Sequence, residues 1–282
     1  MGDNLFSGLG QLGLGDLEGV GVFEEEKKEE KKEEVSKPKE ITEEGILYDK
    51  TYKCPLCDNK FTSKMIRTGK NKLIGSDTDL RPRYTIADPI KYDCIVCGNC
   101  GYAALNRYFD KATSKQLDMI KQNISSKFKG VDETAPVYSY DEAFVRYQLA
   151  LVNAVVKKAH ASEKGYICLK TAWILRGKAE QLPEDMEGLE EAKKELQKQE
   201  LQFIKNAYHG FKEAMQTEPF PICGMDEYTF IYLVAELARK CKDYGISLKL
   251  ISDIITSKAV SPKIKDRARE LKDLIKEEVS KK

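Results

Sequence analysis

Five cysteines stand close together in one stretch of the chain, at the spacing of metal ligands. Cys54 and Cys57 enclose Pro55 and Leu56, and Cys94, Cys97 and Cys100 follow one another at three-residue intervals. Two residues between thiols let one tight turn present both sulfurs to a single ion, and four thiolates in a tetrahedron suit zinc. One pair is Cys54 with Cys57. The second is either Cys94 with Cys97 or Cys97 with Cys100. Gly98 and Asn99 tolerate the positive backbone angles of a tight turn, whereas Ile95 and Val96 are β-branched and suit a strand. The expected ligands are therefore Cys54, Cys57, Cys97 and Cys100, with Cys94 a strand thiol beside them, either structural or a spare ligand. Four thiolates leave no open position, so the expected role of Zn2+ is structural.

Other chemistry is sparse. Cys168, Cys223 and Cys241 lie in apolar, helix-like sequence, as free buried thiols do, and this cysteine usage points to a reducing cytoplasm. The histidines are His160 and His209, both in helix-like sequence away from any serine or cysteine nucleophile pattern. No phosphate-binding glycine loop is present, and Glu190 and Glu191 fall on a charged helix face. No catalytic residue is assigned, and the chain does not read as an enzyme.

The two cysteine pairs are separated by 39 residues, more than a minimal ribbon needs. Within that insert Asp77, Asp79, Arg81 and Arg83 alternate, so an extended strand would put all four on one face. They form a candidate polar contact surface that could clamp a phosphate or carboxylate through the arginines. The competing reading, which is preferred, is a self-neutralising ion network that holds the insert to the ribbon. The same region has eleven Lys or Arg against six Asp over residues 50–110. Lys64, Arg67, Lys70 and Lys72, with the tyrosines, could bind nucleic acid by stacking and phosphate contacts. The net charge of the whole chain, +1, adds no global attraction to nucleic acid or membrane.

These groups need elements to position them. Residues 1–23 are a tail of seven glycines among leucines, valines and phenylalanines, expected to be disordered or to order on a partner or a neighbouring copy. Residues 24–44 are a charged linker opening with seven acids and four bases over 24–34. Neither a signal peptide nor a membrane-spanning run is expected. Residues 45–112, crowded with tyrosines, are expected to be a zinc ribbon of short antiparallel strands. A strand is expected over Ile90–Val96 and a hairpin turn at Thr68-Gly69-Lys70-Asn71.

Residues 113–282 are expected to be helical. Apolar spacing gives helices over 114–128, 141–158, from Ser162, over 186–217, 226–244, 248–257 and from Pro262. Ser162 is expected to cap the third helix and Ser261 the last, and Gly245 with Ser247 to mark a turn. The 141–158 helix is apolar nearly all round and should be central. The fold class is thus mainly α with a small β zinc ribbon, its helices stacked as hairpins.

Several of these runs resemble a known family. They are Cys54-Pro55-Leu56-Cys57 with Phe61, Asp77-Thr78-Asp79-Leu80-Arg81-Pro82-Arg83-Tyr84, Pro89, Tyr92-Asp93, and Cys97-Gly98-Asn99-Cys100-Gly101-Tyr102-Ala103. Ala172-Trp173 with Arg176, Tyr232-Leu233, Glu236-Leu237 and Asp243-Tyr244 extend the likeness. Together they resemble the uncharacterised bacterial family catalogued as domain of unknown function twenty-two twenty-five, over about residues 45–280. The resemblance implies a bacterial cytosolic protein with a cysteine-rich front and a tetratricopeptide-like back, and the metal role on Cys54, Cys57, Cys97 and Cys100. It brings no activity. Lys242-Asp243-Tyr244 and Ser247 depart from a standard tetratricopeptide turn, which leaves a plain helical bundle open. The functional expectation is a cytosolic scaffold whose helices present a groove to a protein or peptide, with a nucleic-acid or ribosome-associated module as the rival.

Overall fold

The computed structural model describes residues 41–130 and 135–281, so the tail and most of the charged linker lie outside the described residues. Strands β1 (Leu47–Lys53) and β2 (Lys60–Ile66) form an antiparallel hairpin in register from Leu47 opposite Ile66 to Lys53 opposite Lys60. Its turn carries Cys54 and Cys57. Two short strands of the insert, β3 (Leu73–Ser76) and β4 (Pro82–Tyr84), pair with each other. Strands β5 (Cys94–Val96) and β6 (Ala103–Leu105) form the third hairpin, and its turn carries Cys97 and Cys100.

Three local expectations change here. The Thr68–Asn71 turn, with Gly69 at φ 79°, connects β2 to β3 instead of closing a hairpin, because those strands belong to different sheets. Residues 77–81 are not extended: the Asp77 N–H donates to the Arg81 carbonyl and Leu80 sits at φ 67°, so the acids and arginines flank a tight turn. Pro89–Tyr92 is a 3-10 turn, not strand, because the Asp88 carboxylate accepts the Ile90 N–H and fixes the first turn.

Seven α-helices follow among the described residues: α1 (Ser114–Ile120), α2 (Tyr140–Val156), α3 (Ala161–Glu180), α4 (Leu189–Thr217), α5 (Glu227–Lys240), α6 (Tyr244–Thr256) and α7 (Pro262–Ser280). The protein is thus mainly helical with small antiparallel sheets. Capping boxes at Thr113/Gln116 and Ser139/Glu142 start α1 and α2. The expected 114–128 helix is shorter, since Lys121–Ser125 widens into a π-turn. Ser162 is not a cap: its N–H and hydroxyl both donate to the Glu218 carboxylate, which closes the start of α3 from the end of α4. Gly245 lies inside α6. The turn falls instead at Lys242, φ 63°, and Asp243 caps the helix through the Ile246 N–H.

From α2 to α7 each helix packs on the next, and α5 also meets α7. The β5–β6 hairpin divides two apolar cores. Cys94, Val96, Ala103 and Leu105 pack against Tyr147, Ala150 and Leu169 of the helices. Ile95, Cys97, Tyr102 and Ala104 face the other way, towards Tyr52, Phe109 and the remaining cysteines. This is the two-residue alternation of a strand buried on both faces.

Candidate metal centre

The two hairpin turns bring Cys54, Cys57, Cys97 and Cys100 together, with all four sulfurs within 4.8 Å of one another. Cys54 Sγ lies 3.6 Å from Cys100 Sγ, and Cys57 Sγ lies 3.7 Å from Cys97 Sγ. Sulfurs at the corners of a tetrahedron about 2.3 Å from its centre are about 3.8 Å apart. The donor set therefore fits one tetrahedral ion.

Both turns are built alike. Cys54 N–H donates to the Asn59 carbonyl and Asp58 N–H to the Cys54 carbonyl; Cys97 N–H donates to Tyr102 and Gly101 N–H to Cys97 in the same pattern. Backbone N–H groups of Leu56 and Cys57 point at the Cys54 sulfur, and those of Asn99 and Cys100 at the Cys97 sulfur. Such donors stabilise thiolates. The Asn99 amide adds a contact of 3.5 Å to Cys57 Sγ. The residue after each second cysteine takes the left-handed conformation, Asp58 at φ 59° and Gly101 at φ 74°. Sequence reasoning expected a strain-relieving glycine just after the second cysteine, and also gave Gly98 and Asn99 as tolerant of that conformation. It belongs to Gly101, where a Cβ would lie 2.7 Å from the Phe128 ring.

Crowding makes the sulfurs compete for protons. Hydrogen bonds from Cys100, then Cys54, push the Cys97 thiol well below the ordinary thiol range, and Cys100 is pushed up chiefly by its bond with Cys54. A divalent cation in the middle would replace those protons. Cys54 and Cys97 are fully buried, Cys100 nearly so and Cys57 half-buried.

Cys94 points to the opposite face of β5, where its thiol donates to the Arg146 carbonyl at 3.2 Å and burial pushes it up to about 12. It is not placed to act as a spare ligand. Cys94→Ala is accordingly expected to retain full metal content by elemental analysis while losing roughly 1 kcal/mol of stability to a small cavity. A drop in bound metal would contradict the alternation of β5.

Asp77, Asp79, Arg81 and Arg83 come together around the turn between β3 and β4, but not as an exposed contact surface. Asp79 and Arg81 are 0% and 2% exposed, because both are pulled against helices. Arg176 of α3 contacts Asp77 at 2.8 Å, Asp79 at 2.5 Å and Glu200 of α4 at 2.6 Å. Glu180 holds Arg81 at 3.1 Å and Arg83 at 2.6 Å, and Lys240 of α5 stands 3.6 Å from Asp79. Thr78 donates to Glu236 at 2.6 Å. The insert is thereby tied to α3 and α5, with Glu200 of α4 backing Arg176.

Burial alone would raise Asp79, but hydrogen bonds and charge from Arg176, with Lys240 behind, hold it down to about 2. A carboxyl below its ordinary value stabilises the fold above that ordinary value and loses the contribution as pH falls through the folded one. The Asp79 contribution, on the order of 2 kcal/mol, is expected to be complete above about pH 4 and gone near pH 2. Urea titrations should show the stability gap between the native chain and Asp79→Asn closing over that window. A gap independent of pH would contradict this.

With the four-sulfur site and the braced insert in place, comparison with known proteins is decisive at the level of family. The model of the family described as uncharacterized protein conserved in bacteria (DUF2225) matches residues 47–275. The chain belongs to this family. The region shared with DUF2225 takes in both cysteine turns, the insert and most of the helical half. Comparisons with curated proteins and with solved structures found no match.

Within the DUF2225 region, sequence reasoning missed Glu180, Glu200 and Lys240, and gave Arg176 no role. Their signal is faint. Arg176 follows the apolar run Ala172-Trp173-Ile174-Leu175, where a charge needs a buried partner, but nothing local names that partner. The tyrosines expected to stack on bases are partly consumed by the core: Tyr52, Tyr92 and Tyr102 are buried, and Tyr102 donates to the Phe109 carbonyl at 2.6 Å. Tyr48 stays exposed, with Arg67 over its ring at 5.6 Å. Lys64 is half-buried and reaches Asp49 at 3.5 Å, whereas Arg67, Lys70 and Lys72 are exposed.

A groove of about 500 Å³ opens between β2, the insert, α3 and α5, lined by Met65, Ile66, Tyr92, Trp173 and Leu233 among others. The Lys170–Asp93 ion pair sits at its polar side. No helix among the described residues is long and apolar enough to cross a membrane.

Proposed function

We propose that this protein is a cytosolic interaction scaffold in which a structural zinc ion shapes one wall of a peptide- or protein-binding groove. The observation that carries the reading is the position of the groove. One side is β2, whose hairpin turn supplies Cys54 and Cys57; the other is α3 and α5. Gripping the ion fixes β1–β2 against β5–β6 and so sets the groove width. Zinc is the natural occupant of four thiolates in a tetrahedron, and a closed set of ligands leaves it a structural task. The groove is mostly apolar with a polar edge, which suits a segment anchored by two or three apolar side chains.

The tetratricopeptide-like reading finds support in α5 and α6, a helical hairpin spanning Glu227–Thr256, near the length of such a repeat. The 29-residue α4 is far longer than that repeat's helices. The scaffold reading therefore rests on the groove and not on a repeat array.

A photo-crosslinking residue at Met65 tests the proposal in the full chain, with one at Lys276 on the exposed face of α7 as control. Discrete crosslinks to one partner from Met65, lost when the part-exposed groove residue Thr229 is changed to Glu with circular dichroism and zinc content unchanged, are expected. Equal labelling from both positions would overturn it.

A further inference from the structure

Helix α2 is apolar nearly all round, yet only part of it is covered. Ala143, Tyr147, Ala150 and Ala154 are buried against the β5–β6 hairpin and α3. On the outer side Val145, Val152 and Val155 are 52%, 44% and 57% exposed, with Gln148 exposed between them. The steps Val145 to Gln148 to Val152 to Val155 are three, four and three residues. That is the narrow seam of a helix built to meet another helix, with β-branched residues at three of four positions. Phe144, Leu149 and Leu151 flank it, partly exposed. An isolated exposed valine is ordinary; three at seam spacing between Val145 and Val155 on one helix face are not.

The ends of the row indicate what covers it. Asp141 stands at the amino end and Lys158 just beyond the carboxyl end, both exposed. Laid antiparallel against itself about a two-fold axis near Ala150, the helix matches its own pattern. Val145 falls opposite Val155 of the second helix and Gln148 opposite Val152, while Asp141 comes near Lys158, one residue out of that register and just past the last helical turn. A parallel arrangement would instead set Asp141 against Asp141 and Lys158 against Lys158. Asp141 is already in contact with Lys178 of its own chain, but it stays 70% exposed and keeps an oxygen for a second cation.

We propose that the outer face of α2 is a self-association surface at which a second copy of this chain packs antiparallel, α2 on α2. The arrangement is isologous, so it closes at a dimer. None of the groove-lining residues lies on α2, so the pairing uses a surface distinct from the groove lining. The patch is one helix wide, which places the expected dissociation constant in the micromolar range, on the order of 1–50 μM.

Sedimentation of the full zinc-loaded chain across 1–200 μM tests this. Expected is a reversible monomer–dimer equilibrium. Val152→Glu, which places a charge beside Gln148 of the partner helix, should weaken it by at least about 100-fold, with the circular dichroism spectrum unchanged. Lys158→Glu should weaken it less, and adding Asp141→Lys in the same chain should restore it, because the exchanged charges meet again only in the antiparallel pairing. A monomer at 200 μM would overturn the proposal. So would a dimer indifferent to Val152→Glu, or one abolished by removing residues 1–40 but not by Val152→Glu, since either result assigns association to another surface. Failure of the double charge exchange to restore binding would overturn the antiparallel geometry. None of these outcomes depends on whether the groove binds a partner.

Discussion

Removal of the metal, by a strong chelator or by Cys97→Ser, is expected to unfold the ribbon and to lower the stability of the helices packed on it. The argument is one of scale. A structural zinc site contributes apparent binding energy on the order of 10–16 kcal/mol, whereas whole domains are stable by roughly 5–15 kcal/mol. The sheets of residues 47–105 have two strands each, and two-stranded sheets do not hold themselves. The effect should not stop at the ribbon, because β5 and β6 face the helices through Cys94, Val96, Ala103 and Leu105. The expected result is loss of near-ultraviolet aromatic signal from the Tyr52, Tyr102 and Phe109 cluster, new protease cuts within the ribbon, and a lower melting temperature for the remaining helices. A chelated chain that melts at the same temperature, with intact aromatic signal, would contradict it.

The second large effect is expected at Arg176. Replacing it by Met removes the main counter-charge of Asp79 and Glu200 at once, while Asp77 keeps Arg83 at 2.7 Å. Breaking a buried pair by deleting one partner costs on the order of 3–5 kcal/mol, because a carboxylate is left buried without compensation. Lys276→Ala makes the matched control. Its partner Asp273 is exposed, and exposed pairs are worth at most about 1 kcal/mol. Urea denaturation of the two variants should differ by several kcal/mol. Equal stability would show that the Arg176 pairs are screened and do not hold the insert.

Much of this was legible in the chain because the signals are local. Cysteine spacing named the four sulfurs that come together, since two hairpin turns of the same length each offer two. Asp226 and Pro262 marked true helix starts because capping and proline geometry act within one turn. What was misread depends on distant partners. Ser162 looks like a cap, but Glu218, far along the chain, does the closing. Alternation over Ile90, Tyr92, Cys94 and Val96 suggested one strand, but Asp88 bends its first half into a 3-10 turn. The run from Asp77 to Arg83 read as a strand face; the Asp77–Arg81 backbone bond folds it, and Arg176, 97 residues beyond Asp79, draws it inside. Sequence periodicity also announced α2 as central without showing that its valine row would be left uncovered.

The central claim is that four sulfurs from two separate hairpins grip one zinc ion. X-ray absorption at the zinc edge of the purified full chain, combined with elemental analysis, tests it most directly. The account predicts one zinc per chain and four sulfur neighbours at about 2.3 Å with no nitrogen or oxygen in the shell. Less than half an equivalent of metal, or a shell containing nitrogen or oxygen donors, would contradict it.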